Sequence, residues 1–359
     1  MNARTAGPVL VVGTGLLGAS VGLALRAEGV DVLLADVSPT ALDLAVDYGA
    51  GRLPAPGDEP ALVVVAVPPD QIPETVARVL AHHPGALVTD VGSVKQQPLE
   101  ALRALGADDS RYLGSHPLAG RERGGAISAR ADLFLARPWV LTPHERTTPA
   151  QVRVLEDLVL DLGATPVRLS PEEHDASVAV ISHVPQLIAS LMAARLVDAP
   201  SAAVGIAGQG LRDVTRIAAS SPELWVQILG ANADAVVPVL EAVGSDLAGL
   251  VEALRGQHRP GARRAVAEVL AAGNAGVSRL PGKHGQDARF ASLVVLIDDR
   301  PGQLAALLTE IGEVGVNLED LRLEHSPGAQ IGIVEVAVLP EVRDRLEREL
   351  TERGWRIAG

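Results

Sequence analysis

A histidine, a serine-lysine pair, a serine-histidine pair and two arginines are the residues whose surroundings could do chemistry. Ser115-His116-Pro117-Leu118-Ala119-Gly120 sets a histidine between Gly114 and a Pro-Leu-Ala-Gly bend. An imidazole titrates near neutral pH, so His116 at the end of a strand could exchange a proton with a substrate hydroxyl. Asp90-Val91-Gly92-Ser93-Val94-Lys95 closes another apolar run, at the carboxyl end where open parallel sheets bind ligands. Ser93 and Lys95 could equally cap and begin the helix that follows. Ser182-His183-Val184-Pro185-Gln186 interrupts an apolar helical stretch, where a proline costs about 3 kcal/mol unless a kink is wanted. The pair either turns polar groups into a cleft or satisfies the carbonyls freed by Pro185. Arg212 and Arg216 lie four apart, on one predicted helix face, and guanidinium groups suit bidentate binding of a carboxylate. Pairing with Asp213 or Glu223 is the alternative.

The second chemical feature is Val9-Leu10-Val11-Val12-Gly13-Thr14-Gly15-Leu16-Leu17-Gly18, an apolar run that breaks into glycines and then into a helical pattern. Its glycines permit a tight bend, close approach of a pyrophosphate and close packing of the helix on the sheet. Amide groups exposed at the helix start attract an anion. Asp36 ends the next apolar run, where a carboxylate takes the ribose hydroxyls and repels a 2′-phosphate, which favours NAD over NADP. Gly13 to Gly18, Asp36, Ser93, and Val67 with Pro68 at the end of a third run form the expected cofactor-binding set. Capping of the helix at Ser38 is the bland role for Asp36.

Positioning these residues requires alternating strands and helices. Strands are predicted at Val30–Ala35, Ala61–Val67, Ala86–Asp90, Arg111–Gly114, Trp139–Thr142 and Pro166–Leu169, with helices between them, which implies a doubly wound parallel sheet covered on both faces. From Ser170 to about Ala272 the pattern is helical, opening with a long helix from Pro171 to near Asp198 that its Ala, Val, Ile and Leu content predicts to be buried on most sides. Gly273 to Arg289 reads as a connector. The rest reads strand (291–297), helix (303–314), strand (317–324), hairpin (326–329), strand (330–338), helix (341–352) and a last strand at 355–357, a ferredoxin-like order. The expected domains are 1–169, 170–275 and 291–359, with a linker at 276–290.

Composition narrows the function classes. A chain of 359 residues with 47% hydrophobic but 2% aromatic residues builds its cores from Ala, Val and Leu. A net charge of −13 and a pI near 5.2 argue against nucleic acid or an anionic membrane as partner, so local arginines must meet an anionic substrate. Without cysteine there are no disulfides or thiolate sites, and no metal is assigned to any motif. No apolar run is read as reaching the roughly 18 residues of a membrane span, and the cytoplasm is the expected compartment.

Together the glycine turn, Gly92-Ser93-Val94-Lys95, Ser115-His116-Pro117-Leu118-Ala119-Gly120, Ser182-His183-Val184-Pro185, and Gly210-Leu211-Arg212-Asp213-Val214-Thr215-Arg216 with Pro222-Glu223-Leu224-Trp225 resemble the prephenate dehydrogenase family, over about residues 8–275. Residues 291–339, with Asp299-Arg300-Pro301-Gly302 and Gly315-Val316-Asn317, resemble an ACT domain, an amino-acid-sensing module that some members carry behind a segment like Pro281–Gly285. The resemblance implies NAD-dependent oxidative decarboxylation of prephenate to 4-hydroxyphenylpyruvate in tyrosine synthesis, by a homodimer joined through the long helix. It implies that His116 takes the hydroxyl proton, that Ser93 positions His116 and the nicotinamide, and that Arg216 holds a carboxylate. Ser182, His183, Gln186 and Arg212 would line the same pocket. Some members have histidine at the position of Gln186, so arogenate, or both substrates, is the alternative to prephenate. A β-hydroxyacid dehydrogenase would use a lysine of the helical domain, and residues 170–272 contain none. An NAD and amino-acid sensor is the non-enzymatic alternative. Tyrosine is the expected effector, at an interface of paired tails near Gly315, Val316 and Asn317.

Overall fold

The computed structural model of the chain describes residues 3–120, 125–280, 290–325 and 331–358. The first sheet is built from β1 (Val9–Val12), β2 (Val32–Ala35), β3 (Leu62–Val65) and β4 (Leu87–Asp90), in the order β2-β1-β3-β4 and parallel throughout. The connecting helices are α1 (Leu16–Ala27), α2 (Pro39–Asp47) and α3 (Ile72–His82), and α4 (Gln96–Ala104) follows β4. Strands so uniformly apolar suit a sheet covered on both faces. Val9, Val11, Leu34, Leu62 and Val64 enter one core, and Leu10, Leu33, Val63 and Val65 the other. The register sets Val12 beside Ala35 and Val65, and Val65 beside Asp90, so all four carboxyl ends open on one edge. The strand order reverses between β1 and β3, the place where such sheets bind ligands.

A second sheet holds β5 (Gly114–Pro117), β6 (Pro138–Thr142) and β7 (Thr165–Arg168), with α5 (Pro149–Asp161) between the last two. A parallel bridge from Val88 to Tyr112 joins it to β4. The strand expected at 111–114 starts later and runs through Ser115 and His116, which therefore lie within a strand and not beyond its end. The shift follows from Arg111, whose guanidinium is held by the carbonyls of Leu80, His83 and Ala86 at 2.7 to 2.9 Å. The Leu80 and His83 carbonyls close the last turn of α3, where a cation is favoured, and Ala86 immediately precedes β4. The strand also runs antiparallel to β6, with His116 opposite Val140, so the sheet is mixed and not wholly parallel.

The long helix opens at Ser170, which forms a capping box with Glu173, and continues as α6 (Pro171–Val178). It then widens into a π turn over Ala179–His183 before α7 (Val184–Ala194). The turn absorbs the hydrogen bond that Pro185 cannot donate. The helix ends at Ala194, short of Asp198, and leaves Val180, Ile181, Leu191 and Met192 exposed, so within one chain it is not buried on most sides. By length and composition it could also cross a membrane, contrary to expectation. His174, Asp175 and His183 are nevertheless buried and hydrogen-bonded, as in a packed core helix.

Beyond it come α8 (Ser201–Gly205), α9 (Gln209–Thr215), α10 (Pro222–Ala231), α11 (Ala233–Arg255) and α12 (Ala262–Val277). The last includes Gly273 and Gly276, so the first part of the expected connector is helix; residues 281–289, with Pro281–Gly285, lie outside the described residues. Contacts divide the chain into two units, residues 1–197 with 215–242, and residues 198–214 with 243–359.

The C-terminal portion contains β8 (Ala291–Asp298), α13 (Gln303–Glu313), β9 (Asp320–His325), β10 (Ile331–Val338), α14 (Pro340–Glu352) and β11 (Arg356–Ala358). The sheet order is β11-β8-β10-β9, antiparallel throughout, a split βαβ arrangement. Leu293, Val295, Val334 and Val336 meet Leu307, Ile311, Leu346 and Leu350 in its core. Val316 is part of that core, while Gly315, with φ +73°, and Asn317 are exposed beside it. The hairpin expected at 326–329 lies outside the described residues.

Candidate active site

The glycine turn stands at the switch point. Gly13 has φ +98°, and a Cβ there would lie 2.4 Å from the Ala66 carbonyl oxygen; one on Gly18 would lie 1.9 Å from that of Gly13. Around a Gly15 Cβ nothing lies within 4 Å, and Gly15 caps α1 without a side-chain hydrogen bond or an acidic residue in the first turn. The helix start thus presents open space and uncapped amides, which fits a pyrophosphate. A cleft of about 820 Å³ runs from there along Asp36, Val67 and Pro68 to Gln71, just before α3, and Arg78 on it. Asp36 is fixed at its wall: Oδ2 accepts from the Thr14 amide (2.6 Å) and hydroxyl (2.8 Å), and Oδ1 from the Ser38 amide (2.8 Å). Ser38 itself caps α2. Gly13, Gly15, Asp36, Val67 and Pro68 of the expected set therefore meet in one cleft. Thr14 is buried against Asp36, Leu17 packs toward the core, Leu16 opens α1, and Gly18 lies under the turn. Because Gly15 has φ −69°, Gly15→Ala should leave Tm unchanged while weakening NAD binding at least about tenfold in a fluorescence titration, as a methyl group fills the cradle. Unchanged affinity would place the pyrophosphate elsewhere.

A hydrogen-bonded run of two imidazoles and a carboxylate forms between β5 and α6. His116 Nδ1 lies 2.9 Å from His174 Nε2, and His174 Nδ1 lies 2.7 Å from Asp175 Oδ1. A carboxylate only accepts, so His174 gives its Nδ1–H to Asp175 and takes the Nδ1–H of His116 on Nε2. His116 Nε2 keeps its lone pair. Asp175 also accepts the Lys95 and Gln96 amides, both at 2.9 Å, and so caps α4 from α6. Neither Ser93 nor Lys95 supplies that cap. Ser93 stands partly exposed in the loop between β4 and α4. Lys95 is fully buried, pairs with Asp90, and donates to the Ser115 carbonyl at 2.7 Å. Tyr112 (2.7 Å) and the Gly92 amide (2.8 Å) donate to the same Asp90 carboxylate.

On the helical side, Asn232 donates to the Asp175 carbonyl (2.9 Å) and contacts His183 Nδ1 (3.0 Å), and the His183 ring stands edge-on to Trp225. Gln186 is buried and Ser182 partly exposed on the same helix. The expectation of one helix face for the two arginines fails: α9 ends at Thr215, Arg216 opens a 3-10 turn packed on α7, and Arg212 falls in the other unit. His174, Asp175, Asn232 and Asp90 were not among the sequence candidates. His174 and Asp175 follow Glu172 and Glu173 in a polar first turn, so no local signal in the sequence marks their burial.

Residues 21–168 match the family model described as prephenate dehydrogenase, nucleotide-binding domain, and residues 170–268 the one described as prephenate dehydrogenase, dimerization domain. The chain is 37% identical over 356 residues to the "Probable prephenate dehydrogenase NovF" of Streptomyces niveus, covering 96% of this chain and 98% of that protein. The chain belongs to the prephenate dehydrogenase family. It is an oxidoreductase. A prephenate dehydrogenase from Aquifex aeolicus, solved with hydroxyphenyl propionate and NAD+, is 27% identical with a TM-score of 0.65, covering 74% of this chain and 97% of that one. An arogenate dehydrogenase from Synechocystis is 28% identical with a TM-score of 0.62, over 74% and 99%.

Electrostatics in this prephenate dehydrogenase relative favour uncharged rings. Burial, then the nearby His174, Lys95 and His183, push His116 well below the usual histidine range. Burial lowers His183 to about 4, with Asp175 opposing and His174 adding to the shift. Burial also lowers Lys95 against the pull of Asp90. Among the described residues, Asp109, His144 and Glu145 lie close enough to share a cation, but Arg103 and Arg146 already neutralise the carboxylates.

Proposed function

We propose that this enzyme converts prephenate to 4-hydroxyphenylpyruvate by NAD-dependent oxidative decarboxylation, as a homodimer whose C-terminal domain senses tyrosine. The observation that carries the reading is the hydrogen-bonded run from Asp175 through His174 to His116, which ends in an unprotonated Nε2 in the same unit as the glycine turn. The cofactor is NAD, which when bound supplies the hydride acceptor. Asp36, at the end of β2, favours it over NADP. His116 Nε2 hydrogen-bonds the ring hydroxyl and takes its proton as the carbon gains ketone character. The imidazolium that forms keeps its Nδ1–H on His174, and the Asp175 carboxylate stabilises the positive charge through that ring. Loss of the ring carboxylate as carbon dioxide restores aromaticity, so the protein need only hold the substrate. Arg216 holds a carboxylate, Ser93 positions His116 and the nicotinamide, and Ser182, His183 and Gln186 line the side-chain end.

The exposed apolar face of the long helix, within the region matching the dimerization domain, supports the homodimer. The split βαβ arrangement and exposed Gly315 and Asn317 support an effector site between paired tails. Gln186, where some members have histidine, is buried, and its amide can donate to a keto oxygen or accept from an ammonium, so kinetics on the two substrates separate them. NADH formation, followed with prephenate and with arogenate and with and without tyrosine, tests the substrate and the effector. We expect kcat/KM to favour prephenate and tyrosine to inhibit. A higher value for arogenate overturns the substrate, and indifference to tyrosine removes the effector.

A further inference from the structure

His183 carries no step of the reaction above, yet it is buried beside the group that does. It is 1% exposed, and through Asn232 it shares the Asp175 main chain with the run that leads from the Asp175 carboxylate through His174 to His116. The ring sits at the end of the π turn, and its Nδ1 faces a side chain from the junction of two other helices, Asn232 at the end of α10. Asn232 is 4% exposed, and two protein groups lie within hydrogen-bond distance of its amide nitrogen. Its Nδ2 lies 2.9 Å from the Asp175 carbonyl oxygen and 3.0 Å from His183 Nδ1.

Those two contacts decide a protonation state. A backbone carbonyl only accepts, so the atom facing Asp175 must be the amide nitrogen, and the amide cannot be turned over. The same nitrogen faces His183, so Nδ1 of that ring must accept as well. The hydrogen of His183 is then on Nε2, and a second proton on Nδ1 would point at an NH₂ group.

We propose that Asn232 is a positioning residue for the dehydrogenase reaction: through its amide it holds His183 as the Nε2–H tautomer and keeps an uncharged ring beside His116. The proposal rests on His116 being the proton acceptor. The groups facing His183 are Asp175 and His174 from α6, His116 from β5, and Trp225 with Asn232 from α10. Asp175 alone would draw a proton onto His183. Its carboxylate oxygens, however, are taken by His174 and the α4 amides, and burial opposes the charge. A cation there would lower the proton affinity of His116 and weaken it as a base.

Two measurements decide the matter. In ¹H–¹⁵N spectra of histidine-labelled wild-type protein at pH 7, the ring assigned to His183 by its loss in His183→Gln should show a pyridine-like Nδ1 and a pyrrole-like Nε2. A protonated ring, or hydrogen on Nδ1, overturns the proposal, and this result stands whether or not prephenate is the substrate. In Asn232→Asp the new carboxylate accepts from Nδ1–H and favours the imidazolium. The acid limb of kcat/KM for prephenate should then move up by about one to two pH units, with activity recovering toward pH 9. A uniform loss at every pH, with the limb unmoved, would mean that Asn232 is only structural. If wild type forms no NADH from prephenate, the functional reading fails instead, and the spectra still test Asn232.

Discussion

Replacing His116 with asparagine should lower kcat for prephenate by about 10²- to 10⁴-fold, the range for removing a positioned general base, while Kd for NAD changes by less than about twofold. His116 is not among the residues lining the nucleotide cleft, which accounts for the unchanged Kd. An asparagine amide can keep the hydrogen bond to His174 Nε2 but cannot take a proton, so the loss should fall on kcat. The pH profile gives a second check. His116 must be neutral to act, and its pKa lies well below the usual 6.5, mainly through burial. The neutral form therefore persists as pH falls through 6.5, and kcat/KM should stay flat from about pH 8 to about pH 6. An acid limb centred near 6.5, or a variant keeping more than about a tenth of wild-type kcat, would assign the proton to another group.

The largest stability effect should follow removal of Asp90. Its carboxylate and the Lys95 ammonium are both wholly buried and paired. Asp90→Ala strands a buried cation, and losses of about 3–5 kcal/mol are typical of such changes. Two more donors, Tyr112 and the Gly92 amide, lose their acceptor as well. Asp90→Leu combined with Lys95→Met removes both charges and should recover most of the loss in urea unfolding, because desolvation of the pair is removed along with their attraction. Catalysis should not recover with it. Lys95 also holds the Ser115 carbonyl, next to His116, and methionine cannot donate there. A single variant within about 1 kcal/mol of wild type, or a double variant no more stable than the single, would contradict a buried ion pair as the element that locks this strand.

Much of this enzyme was legible in the chain. Uniform apolar runs broken by glycine gave the parallel sheet, because a strand buried on both faces has no polar side to show. The glycine turn and Asp36 were legible because each requirement is local: a positive φ, an open cradle and a carboxylate one strand away. The family was legible from short motifs in order. Less legible was what joins them. His116 was a candidate, but its partner His174 is 58 residues away, and no spacing rule links a strand to the start of a distant helix. Lys95 read as a helix start, whereas it is buried against Asp90, and the cap came instead from Asp175, 80 residues on. The π turn replaced a simple kink at Pro185, and the end of α9 at Thr215 separated two arginines that a regular helix would have aligned.

Local composition and periodicity by themselves determined the sheet, the glycine cradle and the list of polar residues worth watching, because each depends on neighbours within one or two turns of chain. Only the tertiary structure decided which of those residues touch. Hydrogen-bond direction runs outward from the Asp175 carboxylate and the Asp175 carbonyl, and it sets which nitrogen of His116 is bare and which nitrogen of His183 carries hydrogen. A proton's position depends on the group within 3 Å, and folding chooses that group from anywhere along the chain.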